Sequence, residues 1–305
     1  MTKIKNPKDL LQMDSLHIQF TEPVQQEDIY QAIYLPIIDL LKSTENTAQV
    51  SNFALALDGG EYALKGQNDS KMDLSSLETI VCQKIVSENA PLSELFCYKI
   101  IELLQLPIPQ CRILTDDKGE LYFGSVIDKG KPGVLSYHKF LELVSTPSAY
   151  SYLFHQQLWV IYALDCFFFN IDRHFGNYIC IENSFGYTQL KPIDFGLSSF
   201  TFHLFPHKPM YLANAQLCNT QHYWKILNNI LLQDSKYVEN LEQYKELARQ
   251  TLGKLKSIDL SKIRNIVDGI PNRWLSEKQK HDLLNWWSSE QLSERILHIQ
   301  NEELK

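Results

Sequence analysis

Three side chains in the middle of the sequence have the types and spacing to handle a polyphosphate. Asp172 and Asn177 lie in Asn170-Ile171-Asp172-Arg173-His174-Phe175-Gly176-Asn177, and Asp194 opens Asp194-Phe195-Gly196 soon after. Read as D-x-x-x-x-N followed by D-F-G, they meet the demands of phosphoryl transfer. One carboxylate must orient or deprotonate the attacking hydroxyl, while a second acid and an amide oxygen hold Mg²⁺ against the phosphates of ATP. Such oxygens suit Mg²⁺, a hard cation that keeps several waters. Asp172 is the candidate base; Asn177 and Asp194 are the candidate metal ligands. D-F-G alone arises by chance, and an Asp followed by an Asn is a common turn. Both together, with apolar strands between them, are much more specific.

These groups need a frame. Ser148 to Phe169 reads as a helix, apolar nearly all round from Leu158 onward, as a central buried helix should be. It delivers the chain into Asp172. Tyr178 to Leu190 reads as two short strands joined at Asn183-Ser184-Phe185-Gly186. The polar groups therefore fall on loops at the ends of buried elements.

A second group of residues precedes this frame. Phe53 to Leu57, Asp58-Gly59-Gly60 and Tyr62-Ala63-Leu64-Lys65 have the form of a β-hairpin, with Asp-Gly supplying the positive φ that tight turns need. Lys65 ends the second strand. A solvated edge charge is one reading of it; contact with nucleotide phosphates is the other, given the acids downstream. Pro91 opens a helix with an apolar stripe of Leu95, Tyr98, Ile101 and Leu104. Glu94 lies on the same side, and a carboxylate facing a core needs a partner. Lys65 is the candidate, with Glu78 and Glu88 as rival acids and an exposed Glu94 as the alternative.

Composition narrows the class. The chain has 305 residues, 44% of them hydrophobic, enough for one large two-lobed domain or two ordinary ones. A net charge of −7 argues against constitutive nucleic-acid binding. Six cysteines without a C-x-x-C read as free thiols in a reducing compartment. The expected location is cytoplasmic, in a bacterium, with export as an effector left open. The run Leu158–Phe169 is too short for a membrane span and carries Asp165, so no transmembrane segment is expected.

The rest of the chain supplies the lobes. Residues 1 to about 30 are mixed and polar. Pro36 to Leu41 is an apolar strand or turn. Lys42 to Ala48 is a small polar loop able to present N–H groups to an anion, though a plain connection has the same composition. Leu77 to Val86 reads as a short helix. Cys111–Thr115 and Leu121–Ile127 form a second hairpin around Asp116-Asp117-Lys118-Gly119. Lys129-Gly130-Lys131-Pro132-Gly133 is a joint, placing one lobe at 1–128 and the other at 129–305. A nucleotide base would fit the crevice there, held near Ser125, Val126 and Ile127. Leu197 to Leu212 is loop-like and aromatic, suited to shaping an acceptor site. Helices are expected at Tyr137–Val144, Tyr223–Leu232, Val238–Leu255, Leu260–Val267 and Glu277–Leu297. The fold class is α+β: a two-lobed, protein-kinase-like fold with a strand-rich first lobe and a mainly helical second.

The assembled pieces resemble the HipA-like kinase family. They are Asp58-Gly59-Gly60 through Lys65, Ser93-Glu94-Leu95 through Pro109, Tyr122-Phe123-Gly124-Ser125, the D-R-H-F-G-N and I-D-F-G stretches, and Ile270-Pro271-Asn272-Arg273-Trp274-Leu275. The similarity runs from about Ile38 to the C-terminal helix. It implies ATP- and Mg²⁺-dependent phosphorylation of a protein serine or threonine. Lys65 would meet the phosphates with Glu94 as partner, Asp172 would be the base, and Asn177 and Asp194 would hold magnesium. It also implies that Ser43-Thr44-Glu45-Asn46-Thr47, which lacks glycine, replaces a Gly-rich lid, with Ser43, Thr44 and Thr47 as autophosphorylation candidates. A regulatory or antitoxin-type partner belongs to the same picture.

Asp172-Arg173-His174 with Asn177 and Ile193-Asp194-Phe195-Gly196 is similar, too, to the catalytic loop of phosphoinositide 3- and 4-kinases. That reading predicts a basic, membrane-facing segment after Asp194, whereas Ser198 to Cys218 offers only Lys208 and histidines. It would make His174 catalytic; a structural, hydrogen-bonding His174 is the competing role. A nucleotide-binding interaction protein with little catalysis is the third possibility.

Overall fold

A computed structural model describes residues 32–41, 52–68, 75–81, 84–128, 134–135, 137–145, 151–184, 187–202 and 219–305. The Ser43–Thr47 loop, the Lys129–Gly133 joint and residues 203–212 of the aromatic loop lie outside them.

Five strands of the first part close into a barrel: β1 (Tyr34–Leu41), β2 (Asn52–Ala56), β3 (Glu61–Gly66), β4 (Cys111–Thr115) and β5 (Leu121–Val126), in the order β1-β2-β3-β5-β4. Both hairpins turn by one device. A single glycine takes positive φ, Gly59 at +76° and Gly119 at +78°, and an aspartate pins the turn. Asp58 Oδ1 accepts from the Gly60 N–H at 3.0 Å, and Asp116 Oδ1 from the N–H groups of Lys118 and Glu120 at 3.0 and 2.8 Å. Closure comes from a parallel pairing of β1 with β4, Tyr34 opposite Ile113 and Leu35 opposite Leu114. The barrel is filled by Ala54, Ala56, Tyr62, Leu64 and Leu114. Gly124 leaves room for two of them, because a Cβ there would lie 2.7 Å from Leu114 Cδ1 and 3.3 Å from Tyr62 Cδ1.

Helix α1 (Ser75–Val81) is shorter than the Leu77–Val86 expected. Its continuation is broken because Ile85 donates to the Glu78 side chain at 2.8 Å and Val86 to the Thr201 carbonyl at 2.8 Å. Helix α2 (Ala90–Leu103) is buried all round from Pro91 to Ile101, not along one stripe. The barrel covers one side, and Phe200 and Trp287 meet Phe96 on the other, with ring centroids at 5.2 and 6.0 Å.

The second part is helical around α4 (Ser151–Phe168). With it come α3 (Tyr137–Ser145), α5 (Asn219–Leu231), α6 (Ser235–Lys256), α7 (Leu260–Asp268), α8 (Glu277–Trp287) and α9 (Glu290–Glu302). A small sheet, β6 (Val134–Leu135), β7 (Tyr178–Glu182) and β8 (Thr188–Pro192), lies among them. The single helix expected over Glu277–Leu297 is two. Ser288 Oγ donates back to the Leu284 carbonyl at 3.0 Å, and Ser289 Oγ caps α9 by accepting from the Gln291 N–H. Paired serines thus offer the backbone alternatives to a continuous helix. Cys97, Cys111, Cys166 and Cys180 are free thiols. Among the described residues no helix is long and apolar enough to cross a membrane.

Candidate active site

Lys65 does not sit on an edge. Its strand pairs on both sides, and Lys65 itself lies opposite Phe123 of β5. The side chain is buried, with its Nζ against Glu94 Oε1 of α2 and 2.6 Å from Asp194 Oδ1. Burial alone would push the ammonium pKa down, but the two carboxylates, Asp194 ahead of Glu94, outweigh it and raise it. Lys65 is therefore a fixed cation. The Glu94 carboxyl is raised as well: it is 1% exposed, and desolvation outweighs the opposing pull of Lys65. Asp194 is held below its ordinary value, because Lys65, then Arg173 and His174, outweigh its own desolvation. Of the rival acids, Glu78 serves the Ile85 N–H and Glu88 is exposed.

Asp194 adopts φ +64°, left-handed backbone that Asp tolerates better than most residues. Gly196 follows beside the ion pair: a Cβ there would stand 3.4 Å from Lys65 Nζ and 3.5 Å from Glu94 Oε1.

The Asp172 loop is built on a buried ion pair. Asp165, 1% exposed in α4, takes both Nε and Nη2 of Arg173 at 2.8 Å. Arg173 Nη1 then donates to the Asn177 carbonyl at 2.8 Å and to the Ile193 carbonyl, and its guanidinium lies 4.7 Å from the Phe195 ring centroid. One guanidinium thus ties the Asp172 loop to the D-F-G loop. The backbone completes the tie, Ile193 N–H donating to the Asn177 carbonyl at 3.1 Å. Asn177 Nδ2 donates to the Asp172 carbonyl at 3.0 Å, so the side chain has its Oδ1 to offer a cation. Asp172 is half-buried; desolvation raises its pKa, a hydrogen bond from Asn219 Nδ2 to its Oδ1 opposes this, and Asp194 adds to the rise. His174 Nδ1 accepts the Gly176 N–H at 3.1 Å, a local turn contact.

The structure thus gathers Lys65, Glu94, Asp172, Asn177 and Asp194. An ionised carboxylate and an amide oxygen are the donor chemistry Mg²⁺ takes. Among the described residues no three His, Cys, Asp or Glu side chains form a preformed metal cluster. Ser125, Val126 and Ile127 lie at the end of β5. The Val126 and Ile127 N–H groups donate to the Gln110 and Glu61 carbonyls, at 2.8 and 3.0 Å, so those donors are already used within the protein. Ser125 Oγ meets Tyr98 OH at 3.2 Å. Next along, Asp128 pairs with Lys191 of β8 at 2.8 Å.

Sequence reasoning passed over Asp165 with Arg173, and Asn219. For the first a signal existed: an acid inside an apolar helix needs a cation. For Asn219, 47 residues from Asp172, there was none.

No protein-family model matches the chain, and no curated protein matches it in sequence. Among solved structures, a Helicobacter pylori proinflammatory kinase, CtkA, is similar with a TM-score of 0.55 at 13% identity, over 90% of this chain and 99% of that one. At that identity the likeness is one of fold: mixed α/β and kinase-like, with a barrel of strands in the N-terminal part.

Proposed function

We propose that the chain is an ATP- and Mg²⁺-dependent kinase acting on a protein serine or threonine. The observation that carries this reading is Lys65 clasped between Glu94 of α2 and Asp194 of D-F-G, with Asp172 and Asn177 on the loop that Arg173 fastens to the same place. The kinase-like fold supports it. In this scheme the lobes divide at 1–128 and 129–305, and Ser125 to Ile127 border the base. Lys65 presents a fixed positive charge to the phosphates. Asn177 and Asp194 would hold magnesium, which would supply charge neutralisation at the phosphates. Asp172, raised by burial, receives the acceptor hydroxyl proton. Ser43, Thr44 and Thr47 are proposed as phosphate-lid and autophosphorylation positions.

The test supplies γ-labelled Mg·ATP to the purified chain with a bacterial lysate and, separately, with phosphoinositide vesicles. Labelled protein that vanishes with Asp172→Ala, a loss of at least about 100-fold, is the expected result. Label confined to lipid would replace the protein acceptor by a phosphoinositide. No transfer to any acceptor or to water would end the kinase reading. Intact mass after incubation reports autophosphorylation, and a phosphopeptide spanning Ser43–Thr47 is expected.

A further inference from the structure

The start of α5 grips the loop that carries Asp172. Thr220 Oγ1 donates to the Asn170 carbonyl at 2.6 Å and accepts the Arg173 N–H at 2.8 Å; the Thr220 N–H reaches the Ile171 carbonyl at 3.3 Å. These three bonds flank Asp172 in sequence and fix the height of α5 against the loop. The neighbouring residue, Asn219, is thereby brought to the carboxylate itself, its Nδ2 donating to Asp172 Oδ1. Asn170 supports the loop from the other side, its Nδ2 donating to Asp165 at 2.9 Å and its Oδ1 accepting the Asp172 N–H at 3.3 Å.

We infer that Asn219 is a positioning residue for phosphoryl transfer: its amide holds Oδ1 of Asp172 and so fixes the rotation of that carboxylate for the acceptor hydroxyl. The inference rests on the kinase reading above. The chemistry favours an amide in this place. A carboxylate that must face an acceptor needs a directed donor to set its rotation, and the bond from Asn219 supplies one. A lysine would hold it by charge and weaken it as a base. A neutral N–H directs the carboxylate without setting a full positive charge beside it.

Substitutions separate this role from simple packing. Asn219→Asp keeps the shape but has no donor and sets a carboxylate against a carboxylate; Asn219→Ala removes the shape as well. A packing role makes Asp the milder change. A positioning role makes it the harsher one. With γ-labelled Mg·ATP, transfer to protein and to water is followed for the full chain and each variant. The expected result is a kcat loss of about 10- to 100-fold in Asn219→Ala, the scale of one hydrogen bond to a charged group. Asn219→Asp falls lower still, and KM for ATP stays within about threefold. Asn219→Ser, which retains a donor, recovers part of the loss. Calorimetric Mg·ATP binding, unchanged in all three, certifies that the site is folded. Wild-type kcat in Asn219→Ala, a milder effect of Asn219→Asp, or a loss expressed in KM alone would overturn the proposal. A wild-type chain inert toward ATP would instead end the kinase reading beneath it.

Discussion

Lys65 holds two carboxylates at once, and the cost of removing it follows from that. Lys65→Met leaves Glu94, 1% exposed, with no countercharge beside it. Breaking a buried pair from one side costs about 3–5 kcal/mol, so urea unfolding at pH 7.5 should register that loss along with the loss of transfer. Adding Glu94→Leu should restore most of the stability and none of the activity. Equal stability of the single and double variants would mean that the pair is not the buried clasp described here. The residue types at this clasp were legible in the sequence because lysine, glutamate and D-F-G carry their chemistry in their names. Which N–H meets the Asp172 carboxylate was not, because Asn219 arrives by the packing of α5 and by no local pattern.

At the scale of elements, the α4–α6 contact contains a titrating group. His155 is 3% exposed, edge-on to Tyr237 and Tyr244 at 4.9 and 5.6 Å between centroids. Burial lowers its pKa from 6.5 to about 4, with Asp234 pulling weakly the other way. The folded chain therefore binds this proton less readily than the unfolded one. Stability from this site is complete above pH 6.5 and is lost as pH falls toward about 4. His155→Phe should flatten that acid limb in urea midpoints measured from pH 7.5 down to 4.5; an unchanged slope would place the titration elsewhere. Helices and hairpins were legible where apolar period and turn glycines spoke locally, as at Gly59 and along α4. The β1–β4 closure and the Ser288–Ser289 break were not. The first joins segments distant in sequence. The second depends on hydroxyls choosing carbonyls over solvent.

Across the whole molecule, the C-terminal helices brace the barrel and α2. Trp287 of α8 meets Phe96 of α2 and Phe167 of α4, at 6.0 and 6.2 Å between centroids. Tyr34 OH donates to the Gly269 carbonyl at 2.9 Å, and Arg273 pairs with Glu120. Trp287→Ala should cost about 3–5 kcal/mol and slow transfer as well, since the cavity opens behind the helix that carries Glu94. A variant destabilised to that extent with full kcat below its melting range would show that α2 needs no such backing. Barrel, post-D-F-G turn and C-terminal helices enclose α2 on all sides. On the kinase reading proposed above, an on–off control that pulled Glu94 away from Lys65 would have to break this packing.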